Sequence, residues 1–498
     1  MNNPAPVTTF LSFIFVLGYL ATISGCSEKQ PVEAEPQFLS FVKNYADAMI
    51  TQGRDHYGVE QSPLFASALD RKTLELGESF DTIKIDGVRK TDRALTGANM
   101  IHDVELFEML YSLSEVSGDG KYSLEADKAI NFFFNTCQSE TTDFYCWGEH
   151  LYWDFQTDDC GLGLDYHETS VWPYWDKAYD AAPDAVWRFT LAEWDHQIND
   201  KRTGDFSRHA GYTEHKTFSG FDFPRYAGQL MERWTYSYSR PENENRPRRK
   251  ELPHFIEVMF SRMKDNMAQS KSGLLIAGRA SQGDHNQVVW LTSNLELARC
   301  LEVAAPIMES ALAQEMREFA IKQDQDFLKA PHKLDSAGGG FAVTLHADTG
   351  LPRVRSMNQP YSSTWSSGYG YGTHAGVANI LFGRVGQLKN LHPQITSRYR
   401  EMILKVGEKY LDSEPDTSWL LKPNEFAQVI ELMLNCAALS GDSKFLDRAS
   451  FFAKMGISLF FDEDSPLPKA SNQNDHYESI TGGPSFMYQL LKLHQLNS

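Results

Sequence analysis

LFEMLYSLSEVSGDGKYSLEADKAINFFF, residues 106–134, decides the architecture. Leu106, Phe107, Leu110 and Leu113 recur at the spacing of one helical face, and Ser117-Gly118-Asp119 breaks the run. Ala126, Ala129, Ile130, Phe133 and Phe134 then mark the apolar face of a second helix. Near the other end of the chain the unit returns. Val429, Leu432, Met433 and Cys436 lead to Ser440-Gly441-Asp442, followed by Phe445, Ala449, Phe452, Ala453 and Leu459. The turns SGDGKY and SGDSKF match closely, and each predicts an antiparallel helix pair. One such hairpin cannot bury its apolar stripe alone, so it must stack on neighbours. Further helical stretches fall at 294–329 and 396–411, and about six or seven hairpins would fill the chain, enough to close a ring. The expected fold is all-α, an (α/α)6-type toroid built as a single large domain over residues 38–498.

The N-terminal segment reads differently. Residues 1–25 carry no charged side chain, and Phe10–Leu20 is an apolar run too short to span a bilayer, as in a signal peptide. Ile23-Ser24-Gly25-Cys26 resembles the lipobox of bacterial lipoproteins. That resemblance implies cleavage before Cys26, acylation of Cys26 and, with Ser27 rather than Asp next, anchoring at the outer membrane on its periplasmic or outer face. Residues 26–37 then form a polar tether with two prolines. Membrane contact is expected through the lipid alone. The net charge of -19 excludes nucleic acid as partner, because phosphate binding needs a basic footprint. The basic run at 240–250 reads as a solvated loop.

The densest chemistry lies at 147–179, WGEHLYWDFQTDDCGLGLDYHETSVWPYWDKAY. Trp147, Trp153 and Trp172 stand beside Glu149, His150, Asp154, His167 and Glu168. Flat aromatic rings next to short polar groups suit a sugar, with ring faces stacking and hydroxyls hydrogen-bonding, so the stretch is read as a cleft lining. A disulfide among Cys137, Cys146 and Cys160 is expected to pin it, while Cys300 and Cys436 read as buried thiols. Other polar clusters add His102 and Asp103, Arg208, His209 and Tyr212, then Asp222, Arg225 and Tyr226, and Tyr371 in a Gly-rich loop. His167-Glu168 lacks a second His one helical turn on, and no CxxC occurs, so no metal ligand set is read and no cofactor is required. A divalent cation such as Ca would be compatible but is not indicated.

The ring of hairpins resembles the (α/α) toroids of carbohydrate-active enzymes: uronate lyases, unsaturated glucuronyl hydrolases and sugar 2-epimerases. Residues 47–71 (DAMITQGRDHYGVEQSPLFASALDR) and 91–103 (TDRALTGANMIHD) also resemble secreted bacterial proteins labelled pectate-lyase-like. The resemblance implies that the loops at one end of the toroid form a cleft for an acidic polysaccharide. Lyase cleavage needs neutralisation of a uronate carboxylate, a base for the C5 proton and an acid for the leaving oxygen on C4. His and Tyr suit the proton transfers. The expected catalytic set is His209, Tyr212 and Arg225, with His150 or His167 as partner. The expected binding set is Trp147, Glu149, Trp153, Asp154, Glu168, Trp172, Arg208, Asp222, Tyr371, His102 and Asp103. Hydrolysis by paired Asp and Glu of the same fold is the alternative. A non-catalytic glycan-binding lipoprotein is the third.

Overall fold

A computed structural model describes residues 36–77, 79–267, 270–278, 285–354, 360–365 and 372–497. The leader, Cys26 and most of the tether lie outside them, as does Tyr371. Fourteen α-helices occur among the described residues: α1 (Pro36–Thr51), α2 (Val104–Ser117), α3 (Lys121–Thr136), α4 (Trp175–Ala181), α5 (Pro183–Ala192), α6 (Pro224–Ser239), α7 (Leu252–Met267), α8 (Leu291–Ala304), α9 (Ser310–Lys329), α10 (His374–Leu388), α11 (Pro393–Lys409), α12 (Pro423–Ser440), α13 (Lys444–Phe460) and α14 (Gly483–Asn497). Five of them, α1, α5, α6, α11 and α12, open on proline, whose fixed φ suits a first helical position that has no use for an N–H. No helix among the described residues is long and apolar enough to cross a membrane.

The two SGD turns are built alike. Gly118 (φ 69°) and Gly441 (φ 72°) take the left-handed conformation that ends each helix. Asp119 Oδ1 accepts from the Lys121 N–H and Asp442 Oδ1 from the Lys444 N–H, both at 3.0 Å, which starts the returning helix. The hairpins so formed stack in order. α6 packs on α8, α8 on α10, α10 on α12, and α12 on α14. α14 then packs on α2 and on α1, and the ring closes. The short α4 fills the gap between α2 and α6: Tyr111 packs on Tyr174 beside its start, and its Tyr179 hydroxyl donates to Ser237 Oγ at 2.7 Å. The result is the toroid expected from sequence, six full-length hairpins with a short seventh pair, α4–α5, wedged between the first and third.

Closure is stapled by polar groups. Eleven short strands lie in the connections: β1 (Ala68–Leu69), β2 (Gly97–Ala98), β3 (Leu151–Asp154), β4 (Asp159–Leu162), β5 (Tyr166–Glu168), β6 (Ile198–Asp200), β7 (Asp205–Phe206), β8 (His209–Gly211), β9 (Val288–Trp290), β10 (Thr344–His346) and β11 (Tyr477–Glu478). β1 pairs antiparallel with β11, joining the two ends of the chain. Beside this ladder the Arg93 guanidinium meets the Glu478 carboxylate at 2.6 and 2.7 Å, with both side chains buried. Arg71 is paired to Asp462 and Asp475, and the Tyr45 and Tyr477 hydroxyls meet at 2.8 Å.

Connection length is asymmetric, and this positions the site. Turns from an inner to an outer helix are short, as at 118–120, 305–309 and 441–443. Connections from an outer to the next inner helix are long: 52–103, 137–174, 193–223, 330–373 and 461–482. Every strand but β9 lies on one of these connections, β9 lying on 268–290 between α7 and α8, and so does every site residue expected from sequence except Arg225, which opens α6. The basic run at 240–250 occupies an inner-to-outer turn at the opposite end. Its arginines are paired with Asp176, Asp184, Asp195 and Glu251, so it is the solvated loop expected.

The Trp-rich stretch is corrected. Trp147 is fully buried, and Trp153, Trp172 and Trp175 are nearly so. Trp147 stacks on Phe133 at 5.5 Å and packs edge-on against Phe134 and Phe189. These rings fill the space between α3, α4 and α5 and do not line a cleft. Glu149 and Glu168 of the same stretch emerge at the rim, where Arg208 pairs both. The disulfide forms between Cys146 and Cys160 and leaves Cys137 a buried thiol with Cys300 and Cys436.

Truncating one side of the buried closing pair leaves a charge without its partner. Glu478→Ala or Arg93→Ala should therefore lower stability by about 3–5 kcal/mol, while Arg93→Met combined with Glu478→Leu should recover much of it. Urea unfolding followed by circular dichroism checks both.

Candidate functional site

Antiparallel pairing of β5 with β8 sets Glu168 opposite His209. Strand alternation sends Glu168 to the rim and His167 to the core, where the imidazole lies flat on Phe144 at 4.0 Å. Glu149 and His150 enter on the turn before β3. Gly148 takes φ 108° there, and its carbonyl is held by Asn99 Nδ2 at 2.7 Å. Arg208 precedes β8, and Pro224 starts α6 so that Arg225 and Tyr226 sit in its first turn.

A π-helical turn, Glu193–Gln197, supports the pair of strands from below. Its Gln197 amide donates to the Arg208 carbonyl (2.7 Å), the Ser207 carbonyl (3.1 Å) and Thr169 Oγ1 (2.6 Å), which fixes the backbone on both sides of the site. π-turns of this kind concentrate at functional sites.

The side chains converge. Arg208 Nη1 donates to Glu168 Oε1 at 2.9 Å and Nη2 reaches Glu149 Oε2 at 2.9 Å. Tyr226 donates its hydroxyl to Glu168 Oε1, and Arg225 Nη2 meets that hydroxyl at 2.7 Å. Arg89 pairs with Glu149 and, through Nε, with Asp92 at 2.7 Å. Asp92 Oδ1 lies 3.2 Å from His150 Nδ1. Around Glu149 Oε2 stand His150 Nε2 at 3.5 Å and His209 Nε2 at 3.7 Å. Tyr166 stacks on His209 at 5.3 Å.

Burial and charge set the protonation states. Burial pushes the Glu168 carboxyl up to about 8; Arg208 opposes this, and the neighbouring Glu149 charge adds to it. Burial opposes ionisation of Glu149 too. There, the neighbouring His209 and Glu168 side chains and the Arg208 and Arg89 charges prevail and hold it well below the usual carboxylate range. Arg208 bridges the two carboxyls at 2.9 Å each; burial raises Glu168 while the surrounding cations lower Glu149, so the proton is held on Glu168 in preference to Glu149. Burial also lowers the His209 imidazole, with Arg208 adding to the effect, so the ring is neutral at neutral pH. Arg208 is driven the other way by Glu168, Tyr226 and Glu149 against its burial, and is a fixed charge.

Of the residues expected from sequence, Glu149, His150, Glu168, Arg208, His209 and Arg225 come together. Others are used elsewhere. Tyr212 lies in the hydrophobic core, and its carbonyl accepts from Thr142 Oγ1 at 2.8 Å. Asp222 is buried against Arg262 at 2.7 Å. Asp154 caps the turn after β3 through the Gln156 and Thr157 amides. Asp103 is buried before α2 with its carboxyl pushed well up by burial. His102 stands between this site and the closing pair, lowered to about 4 by burial while Glu478 and Asp92 pull it up. Tyr226, marked in sequence with Arg225, joins the cluster. Sequence reading missed Arg89, Asp92 and Tyr166 as members: Tyr166 precedes His167-Glu168, but nothing local distinguishes Arg89 or Asp92 from solvated charges.

Glu149, His150 and His209 also form a donor set for a metal ion, with ligand atoms within 4.8 Å of one another. Asp92 behind His150 is the carboxylate that usually orients a ligating imidazole. Two imidazoles and one carboxylate suit a first-row transition ion, whereas the Ca considered from sequence prefers an all-oxygen shell.

Residues 62–234, less than half of the chain, match the family model described as periplasmic pectate lyase. The match contains the whole cluster described above. Among solved structures, a D-mannose isomerase is similar over 94% of this chain and 100% of its own, at 7% identity and TM-score 0.46. A sugar epimerase from a ruminal bacterium covers 93% and 99% at 12% identity and TM-score 0.47, and the GH76A alpha-1,6-mannanase from Salegentibacter sp. HEL1_6 covers 92% and 100% at 11% and 0.42. At these scores the description of the fold rests on the ring closure above and not on these proteins.

Because Glu168 keeps its proton in the folded protein up to about pH 8 and loses it near the ordinary glutamate value when unfolded, its contribution is full at low pH. It drains away as pH rises toward 8. Glu168→Gln should flatten the fall in thermal midpoint between about pH 5 and 8, measurable by differential scanning fluorimetry across pH.

Proposed function

We propose that the protein is a polysaccharide lyase that cleaves a uronic-acid-containing polymer by β-elimination, exported to the periplasm or the outer membrane through the lipobox at Cys26. The observation that carries this reading is the convergence of Arg208 and His209 on the Glu149 and Glu168 carboxyls. The rim holds one neutral imidazole, one protonated carboxyl and a fixed guanidinium in mutual contact, inside the segment that matches the pectate lyase family model.

The roles follow from chemistry. Arg208 faces the uronate carboxylate; its Nε has no hydrogen-bond partner among the described residues, and it keeps its charge at any working pH. Pairing that carboxylate with a cation makes the C5 proton more acidic. His209, neutral and stacked on Tyr166, takes the C5 proton at Nε2. Glu168 gives its proton to the oxygen leaving C4, while Arg208 and Tyr226 hold its other oxygen. Arg89 and Arg208 keep Glu149 ionised, so the proton stays on Glu168 until the step that uses it.

A second reading rests on the donor set. If Glu149, His150 and His209 hold a divalent transition ion, that ion supplies the neutralisation of the substrate carboxylate, and His209 is a ligand rather than the base. Arg208 and Tyr226 then remain on the substrate side of the cluster.

The soluble form beginning after Cys26, given polygalacturonate and other uronate polymers, should produce new reducing ends together with the ultraviolet absorbance of an unsaturated uronide. Reducing ends without the absorbance would sink elimination. His209→Ala should lower kcat by about 10²–10⁴-fold. Dialysis against EDTA followed by Mn²⁺ separates the two roles: unchanged turnover makes His209 the base, and loss restored by the ion makes it a ligand.

A further inference from the structure

Trp419 stands apart from the other tryptophans. Trp147, Trp153, Trp172, Trp175, Trp187, Trp194, Trp234 and Trp365 are buried and Trp290 is half-buried, whereas Trp419 is 40% exposed. It lies on the connection 411–422 between outer helix α11 and inner helix α12, hence at the end of the toroid that carries the cluster. The loop that presents it is tightly held. Asn472 Nδ2 donates to the carbonyls of Thr417 and Trp419, each at 3.0 Å, and Asn472 Oδ1 accepts the Leu421 N–H at 2.9 Å. Gln473 Nε2 donates to the Ser418 carbonyl at 3.2 Å, and Asp416 Oδ1 takes both the N–H (2.9 Å) and the hydroxyl (2.7 Å) of Ser418.

An indole left in water on a loop free to move would fold back onto apolar surface. Here the backbone on both sides is fixed by side-chain amides, so the ring face is presented at little further entropy cost to a ligand. The loop is also tied to the catalytic rim. Lys422 Nζ donates to the Asp86 carbonyl at 3.0 Å, and Asp86 belongs to the same connection that carries Arg89 to Glu149.

We propose that Trp419 is a stacking platform for a pyranose ring of the polymer, a subsite remote from the bond that is cut. Carbohydrate is the occupant the surroundings favour: a single exposed indole on a polar loop held by Asp416, Asn472 and Gln473, at the end of the toroid that carries the polar cluster. A hydrophobic protein partner would want a wider apolar surface than one ring. The proposal deepens the lyase reading by adding a binding subsite, and it rests on that reading for the identity of the polymer.

Because the ring is exposed and its loop is held through main-chain carbonyls, Trp419→Ala should fold normally, which circular dichroism checks; Trp419→Phe keeps a stacking face. Affinity electrophoresis through polygalacturonate reads binding without turnover, and kcat/KM on polygalacturonate and on trigalacturonate reads catalysis. Expected are a loss of about tenfold in retention and in kcat/KM on the polymer for Trp419→Ala, near-normal values for Trp419→Phe, and unchanged kcat/KM on the trimer. Equal retention of Trp419→Ala and the wild-type protein overturns the platform, as does a wild-type protein that is not retained by the polymer. Retention that depends on Trp419 without any elimination would support the platform and overturn the lyase reading instead.

Discussion

A ring of helical hairpins has no free apolar edge only if its last inner helix meets its first. Here α14 packs on α2 and α1, and without that contact the apolar faces of α2 and α12 would look into water. Bringing together groups as far apart as Tyr45 and Tyr477 costs loop entropy, but that cost grows slowly with length, so burial along a whole inner helix can offset it. The buried Arg93–Glu478 pair adds direction more than strength. A desolvated ion pair roughly balances its own desolvation, yet it penalises any closure in another register that leaves either charge alone.

Closure also fixes where chemistry can sit. Inner helices run down from one end, so each long connection arrives at that same end, and residues from 52–103, 137–174, 193–223 and 461–482 meet there. No helix face alone carries the cluster. It is assembled by the two-stranded β5–β8 ladder, by the π-turn amide of Gln197 beneath it, and by the first turn of α6. His102 lies between the cluster and Glu478, so the polar groups that close the ring and those that line the site form one electrostatic neighbourhood.

The charge of the whole chain says little about that neighbourhood. A net charge of -19 is ill suited to a polyanion, yet at the rim Arg89, Arg208 and Arg225 gather around the carboxyls of Glu149 and Glu168 and the Tyr226 hydroxyl. Burial makes the local arrangement decisive: at low dielectric the second carboxylate would cost more than its neighbours return, and Glu168 holds its proton. The basic run at 240–250, the most positive stretch by sequence, is neutralised by acids of adjacent helices at the far end.

The sequence by itself determined the toroid. Helical periodicity and the paired SGD turns are local signals, carried by residues within one or two turns of one another, and the hairpins they predict have few ways to stack. It also marked Glu149, His150, Glu168, Arg208, His209 and Arg225, because short polar clusters in non-periodic segments fall on connections. Only the tertiary structure decided what each side chain does there. Strand alternation turned His167 inward and Glu168 outward, and packing drew Trp147, Trp153 and Trp172 into the core although they stand beside rim acids. Arg89 and Asp92 became site members through contacts some sixty residues away, which no local pattern encodes. Burial and partner charge, properties of the folded neighbourhood alone, then divided the proton between two glutamates that the sequence presents as equivalent.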